Sequence, residues 1–347
     1  MDTLRVVTSD PVARFLAERG AKVDRKNRMR LMKSSEILDT ALRIYQRMGL
    51  TFLRFTAVPA LLCLASLGFV DNFVLPNLFT TSGNGSAGQV MGEFAFSVGL
   101  AVFVGGPLFL LGVSYTSALV VQLVSEYMLG HAPAPEEAAS VASRLLPKLF
   151  VLNLRELVLS ISGILASTAI IGLSGYIAKT SPDSDSTAGI VAVVGGLGVF
   201  AGAIIFLFII ASDALAVPVA VLERISAKDA AKRSRNLLKR VGYHPSGTGN
   251  IWSLYFLLLF LALILAAGLY AFIGIFDLRD HFSNLVSSVP GHPLLVQAFD
   301  LFPPFVIIWT LLPVWASVIT IVYYERKIRL EGFDIDVLAS EIPVDRR

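Results

Sequence analysis

Six long apolar runs divide this chain, and they limit its fold more than any other feature of the sequence. About 20 consecutive apolar residues span a bilayer as a helix, which satisfies its own backbone hydrogen bonds. Only 16% of the 347 residues are charged and the mean hydropathy is +0.70, outside the range of soluble domains. The sequence therefore predicts an all-α integral membrane protein whose six transmembrane helices cover about 51–70, 94–129, 152–177, 189–222, 251–276 and 304–324.

Basic residues are distributed very unevenly among the connecting segments. If the N-terminal side faces inward, all but Lys179 and Arg279 of the 29 Lys and Arg residues lie in inner segments. An excess of basic residues marks the cytoplasmic side of a polytopic protein. This predicts a basic cytoplasmic arm (1–33), a six-span domain (34–324) and a cytoplasmic tail (325–347). The arm either binds anionic lipid headgroups or serves only to fix the topology.

Three amphipathic segments are predicted as separate helices on the inner face. The first is Ser35–Met48, the second is Glu136–Leu149, interrupted by Pro147, and the third lies within Val221–Arg240. In the third, Ser226 followed by Asp229 is typical of a helix-capping box. Each segment precedes an outward-going span, and they share a short pattern, which suggests three repeated units of a surface helix plus a transmembrane hairpin. The pattern reads Asp39-x-Ala41-x-Arg43, Ser140-x-Ala142-x-Arg144 and Asp229-x-Ala231-x-Arg233.

The second and fourth spans are too long for a single crossing. Gly105-Gly106-Pro107 predicts a kink in the second, because Pro107 lacks a backbone donor. In the fourth, Gly198-x-x-x-Gly202 favours close approach of two helix backbones. Packing within the molecule is the favoured interpretation, and homodimerisation is the alternative.

Motifs for catalysis or for a cofactor are not recognisable in the sequence. The four histidines lack metal-ligand spacing, and the single cysteine, Cys63, excludes an intramolecular disulfide. Nucleophile elbow, phosphate loop, zinc-protease and paired-carboxylate motifs are not found. The chain is therefore predicted to be a non-enzyme without cofactor or metal. A solvated loop is favoured over a divalent-cation site for the outer-loop cluster of Asp277, Asp280, His281, His292 and Asp300.

Two carboxylates lie inside the predicted spans and are candidate functional residues. Asp213 precedes Pro218 near the end of the fourth span, and Glu126 lies near the end of the second. A carboxylate at membrane depth is costly unless it is paired. Structural pairing with a basic residue such as Arg224 or Arg144 is favoured over a role in transport, which stays open.

Three stretches resemble the membrane domain of glycerophosphoryl diester phosphodiesterases and related uncharacterised bacterial and archaeal polytopic proteins. They are the opening Ser35–Tyr45, the element from Ala216 to Leu237, and the tail from Tyr323 to Asp334, in which Glu325 replaces the usual Asp. In that family the hydrolytic activity belongs to a separate soluble barrel domain. The resemblance therefore implies fold and location and no catalysis. Candidate lipid- or partner-contacting residues in these stretches are Glu223, Arg233, Ser234, Arg326 and Arg329.

The sequence favours a non-catalytic scaffold or accessory subunit of a prokaryotic cytoplasmic membrane. The expected partners are anionic lipid headgroups, other membrane proteins or a second copy of the chain, and not nucleic acid. The alternative is a transporter of a lipid-like or small amphipathic solute. An enzyme acting on lipid phosphodiesters lacks any catalytic constellation.

Overall fold

The chain folds into long α-helices, as a computed structural model describes for residues 32–74, 96–97, 99–180, 185–239 and 251–332. The predicted arm and tail lie mostly outside these residues. Within them there is no strand. The helices are α1 (Ser34–Phe69), α2 (Gly106–Met128), α3 (Pro135–Thr180), α4 (Asp185–Asp213), α5 (Ala216–Leu222), α6 (Ala227–Lys239), α7 (Ile251–Ile275), α8 (Leu278–Val286), α9 (His292–Asp300) and α10 (Phe302–Glu331).

Six helical segments of the described chain are long and apolar enough to cross a membrane. This confirms the prediction of an all-α polytopic membrane protein, with each predicted span overlapping one segment. The segments are Ser34–Asn72, Ala101–Met128, Pro135–Ser174, Gly189–Leu222, Ile251–Ile275 and Leu295–Glu331.

Helix α2 lies at the centre of the bundle and packs against α1, α3 and α10. Its residues from Ser114 to Met128 are mostly buried, and they meet Phe52 of α1 and Tyr323 of α10 in one apolar core. Where α1 crosses α2, Gly112 is essential, since a Cβ there would lie 2.4 Å from the Pro59 carbonyl oxygen. The core is therefore concentrated in one half of the bundle, around the C-terminal parts of α2 and α10.

Helices α3 and α4 form a tight hairpin along the glycine motif predicted to pack helices. A Cβ on Gly202 would lie 2.9 Å from the Ile164 backbone nitrogen, and one on Gly198 would lie 2.5 Å from the Ser167 hydroxyl oxygen. Small residues let two helix backbones approach this closely. The motif thus packs within the molecule, as the favoured interpretation predicted.

Two of the three amphipathic segments are not separate surface helices, so that prediction is wrong for them. The first is the beginning of α1, because its buried stripe continues from Ile37 and Ala41 through Ile44 to Phe52 without a stop signal. The second is the beginning of α3, and Pro147 lies inside that helix rather than interrupting it. Only the third is a helix of its own, α6. The three amphipathic segments thus differ in form, because two are continuous with their spans and one is a separate helix.

Breaks in the second and fourth spans lie close to the predicted prolines. A π-helical segment, Ala101–Gly105, leads directly into α2, whose second residue is Pro107. Helix α4 ends at Asp213, and α5 restarts at Ala216 with Pro218 in its first turn. The predicted outer loop is not irregular, because it contains α8 and α9.

Candidate functional site

The charged side chains of the described bundle gather at one end, which we call the basic end. It is formed by α6, the last turns of α10, α5 and the turn between α2 and α3. The serine cap that the sequence predicts for α6 is present: the Asp229 backbone N–H donates to Ser226 Oγ at 3.2 Å, and the Ser226 hydroxyl donates to Asp229 Oδ2 at 2.5 Å. Helix α6 packs against α3, α4 and α5 as well as α10. It does so through the buried Ala230, Ala231, Ser234 and Leu237, while Lys228 and Lys232 stay exposed.

Asp213 forms a two-pronged ion pair with Arg235. Arg235 Nε donates to Asp213 Oδ1 and Nη2 donates to Oδ2, both at 2.6 Å. The Asp213 side chain is fully buried, whereas that of Arg235 is 37% exposed. These hydrogen bonds raise the pKa of Arg235 above its ordinary value. The predicted pairing of Asp213 is thus present, but its partner is Arg235 rather than Arg224 or Arg144.

Ser234 stabilises the interruption between helices α4 and α5, next to this ion pair. Its hydroxyl donates to the Ser212 carbonyl oxygen and accepts from the Leu215 N–H. These two backbone groups lie where α4 ends and α5 has not yet begun, so they lack helical partners. Ser234 is completely buried, and its role is to stabilise the break that positions Asp213.

Glu223 and Arg233 belong to a second ionic group that joins α5, α6 and α10. Arg233 pairs with Glu223 at 3.3 Å and with Glu331, while the Tyr323 hydroxyl donates to Glu223 at 3.0 Å. Lys327 lies 3.7 Å from Glu223. Burial alone would lower the pKa of Arg233, but Glu223 and Glu331 raise it overall. This group fixes the end of α10 to α6.

Arg326 and Arg329 flank a buried carboxylate on α10. Arg329 donates through Nη2 to Glu325 at 2.6 Å, and Arg326 Nε lies 3.4 Å from the other Glu325 oxygen. The Glu325 and Arg326 side chains are 1% and 6% exposed. Arg326 is therefore part of the packed interior of the basic end, whereas Arg329, whose side chain is 28% exposed, covers Glu325 from the surface.

Glu126 has a backbone partner in place of the expected ion pair. Its Oε2 accepts the Ala134 N–H at 2.9 Å, and its Oε1 accepts from Gln122. Ala134 directly precedes α3, whose first donors have no helical acceptors. Glu126 thus stabilises the turn between α2 and α3, which is a structural role.

Glu156 is the residue that the sequence reasoning missed. It lies on α3, near the Asn153 amide that donates to Ser114 at 2.7 Å. Its Oε1 is enclosed and has no hydrogen-bond partner among the described residues. It interacts electrostatically with Asp213 and Arg235. Its place five residues into the predicted third span was a signal that could have singled it out, since carboxylates there are rare.

At the opposite end lie the histidines and aspartates for which the sequence favoured a solvated loop over a divalent-cation site. Asp300 pairs with Arg279 at 2.8 Å and so links α8 to α9, while His281 Nδ1 contacts the Asp277 carbonyl oxygen. Within the described ranges, no three His, Cys, Asp or Glu side chains are placed to share a metal ion.

Comparison with known proteins identified no relative: no family model, curated protein or solved structure matches this chain.

Proposed function

We propose that this protein is a non-catalytic scaffold or accessory subunit that packs against another membrane protein through the far half of α7. The main support for this proposal is that one face of α7 is buried against the bundle at its beginning and exposed near its end. Leu254 is completely buried, but Phe272, which lies 18 residues further, is 54% exposed. Eighteen residues are five full turns, so both side chains lie on the same face of α7.

Exposure to lipid alone does not account for this pattern. A span at the edge of a bundle exposes its outward face to lipid and buries its inward face against neighbours. In α7 only Ile251, Leu254 and Leu258 are buried, and all three lie in the first third of the helix. Along the same stripe in the far half, Leu265, Leu269 and Ile273 are only partly buried. This face is therefore incompletely covered, and a partner helix of apolar composition fits there.

The basic end supports a framework role rather than chemistry. Its candidate residues Asp213, Glu223, Arg233 and Ser234 are engaged with one another or with the backbone. A transporter that uses Asp213 receives less support, because Arg235 occupies both of its carboxylate oxygens. These contacts hold α4, α5, α6 and α10 in place, and they leave none of these four side chains available for catalysis.

In this proposal the basic end faces the cytoplasm of a prokaryotic cell, as does each terminus. The support is the distribution of basic residues, of which the connections at the opposite end carry only Lys179 and Arg279. Anionic lipid headgroups are the partners expected at this end, because exposed basic residues near a membrane surface attract them. The likeness of the tail to polytopic prokaryotic proteins points to the same location.

Photocross-linking in native membranes tests the scaffold. A photoreactive phenylalanine at position 272 is expected to yield one protein adduct of discrete mass. The matched control is position 263, nine residues away and therefore on the opposite side of α7, where Leu263 is 59% exposed and lipid adducts are expected. Lipid adducts alone at both positions, together with a monomer in mild detergent, would overturn the proposal.

A further inference from the structure

Glu156 belongs to the polar group around Asp213, but no basic side chain in this group is paired with it. It projects from α3 in the segment Pro135–Ser174, which is apolar enough to span the membrane. Its Oε1 is enclosed and has no hydrogen-bond partner among the described residues, and the residue as a whole is half-buried. The question is what neutralises this carboxyl group.

Four charged or titratable groups interact electrostatically with Glu156, from its own helix and from three others. They are Arg155 on α3, Asp213 on α4, Arg235 on α6 and Tyr255 on α7. Arg235 is already committed to Asp213 through two hydrogen bonds of 2.6 Å. The positive charge of Arg235 therefore neutralises Asp213 and is not available to neutralise Glu156 as well.

The remaining two groups do not supply the missing charge. Arg155 directly precedes Glu156 on the helix, so its side chain points about 100° away around the axis, and it is exposed. Tyr255 donates its hydroxyl to the Ile210 carbonyl oxygen at 3.4 Å. An ionised Glu156 would add a second negative charge beside Asp213 in an apolar segment, which is unfavourable.

We propose that Glu156 is a proton-binding site, occupied at neutral pH. The bound proton neutralises the carboxyl group and removes its repulsion with Asp213. The site exchanges this proton with solvent through the basic end, where the Arg235 side chain is partly exposed. This inference is independent of the scaffold proposal, because it rests on the neighbours of Glu156 and not on the surface of α7.

Labelling with dicyclohexylcarbodiimide tests the site in the intact protein. This apolar reagent adds to protonated carboxyl groups, and peptide mass spectrometry locates the adduct. We expect labelling at Glu156 at neutral pH, no such adduct in Glu156→Gln, and loss of about tenfold per pH unit once the pH exceeds the pKa of the site. Glu126, whose oxygens accept from Ala134 and Gln122, is the internal control and is expected to stay unlabelled.

Three outcomes would overturn the proposal. The first is labelling of Glu156 no stronger than that of Glu126, and the second is labelling that does not fall at alkaline pH. The third is protection by sodium ions at constant pH, which would assign the site to a metal cation. The decisive measurements use the unmodified chain, so they stand even if Glu156→Gln fails to fold. Failure of this test leaves the cross-linking result at Phe272 unchanged.

Discussion

The ion pair between Asp213 and Arg235 gives an asymmetric prediction, because its two partners differ in burial. Arg235→Ala leaves a fully buried carboxylate without its counter-charge, which costs about 3–5 kcal/mol. Asp213→Asn leaves an arginine whose side chain is 37% exposed and able to turn toward solvent. Its cost is then limited to the lost charge-assisted hydrogen bonds, about 1.5–3 kcal/mol before screening. We therefore expect Arg235→Ala to destabilise the protein more than Asp213→Asn.

Reversible unfolding by dodecyl sulfate in mixed micelles measures these free energies. The double variant Asp213→Asn/Arg235→Ala contains no buried charge at this position and is expected to be more stable than Arg235→Ala alone. Arg43→Ala is the matched control, since its pair with Asp39 is exposed, at 72% and 56%, and contributes about 0–1 kcal/mol. The reasoning is refuted if Asp213→Asn costs as much as Arg235→Ala, or if the double variant shows no recovery.

Two further predictions use the same unfolding assay. Gly202→Ala places a methyl group 2.9 Å from the Ile164 backbone nitrogen and should cost about 1–3 kcal/mol. Gly196→Ala meets nothing within 4 Å and should stabilise α4 by about 0.5–1 kcal/mol, so an equal effect of the two alanines would contradict the tight packing of α3 on α4. Ser226→Ala removes the cap of α6 and should cost about 1 kcal/mol, whereas Ser226→Thr, which keeps the hydroxyl bonded to Asp229, should largely preserve it; no difference between these variants would argue against the cap.

The spans and the local signals at their ends were predictable from the sequence. The length of the apolar runs predicts the six crossings. Gly105-Gly106-Pro107 predicts the irregularity in the second span, and Ser226 with Asp229 predicts the start of α6. Each of these signals acts over a few neighbouring residues. The segments Ser35–Met48 and Glu136–Leu149 were assigned as separate helices because their surfaces change from amphipathic to apolar. The first contains no residue that ends a helix, and Pro147 in the second is accommodated inside α3.

The ion-pair partners at the basic end could not be predicted from the sequence, because they depend on the path by which α6 folds back against the bundle. Arg224 is nearer to Asp213 along the chain, but its positive φ of 53° belongs to the turn that directs α6 back along the bundle. That reversal brings Arg235 and Ser234 to the break between α4 and α5. Glu156 acquires its significance from neighbours on three other helices. Spacing within α3 does not reveal any of them.

The length of α3 has a consequence outside the bilayer. A helix of 46 residues is about 70 Å long, whereas a bilayer with its headgroups is about 40–45 Å thick. Even with tilt, several turns of α3 stand clear of the lipid. Because α3 continues through Pro147 without an intervening loop, the part outside the lipid and the span are one helix. Ala138 and Ala142 of that outer part are buried in the core, so the packed interior of the protein extends beyond the bilayer.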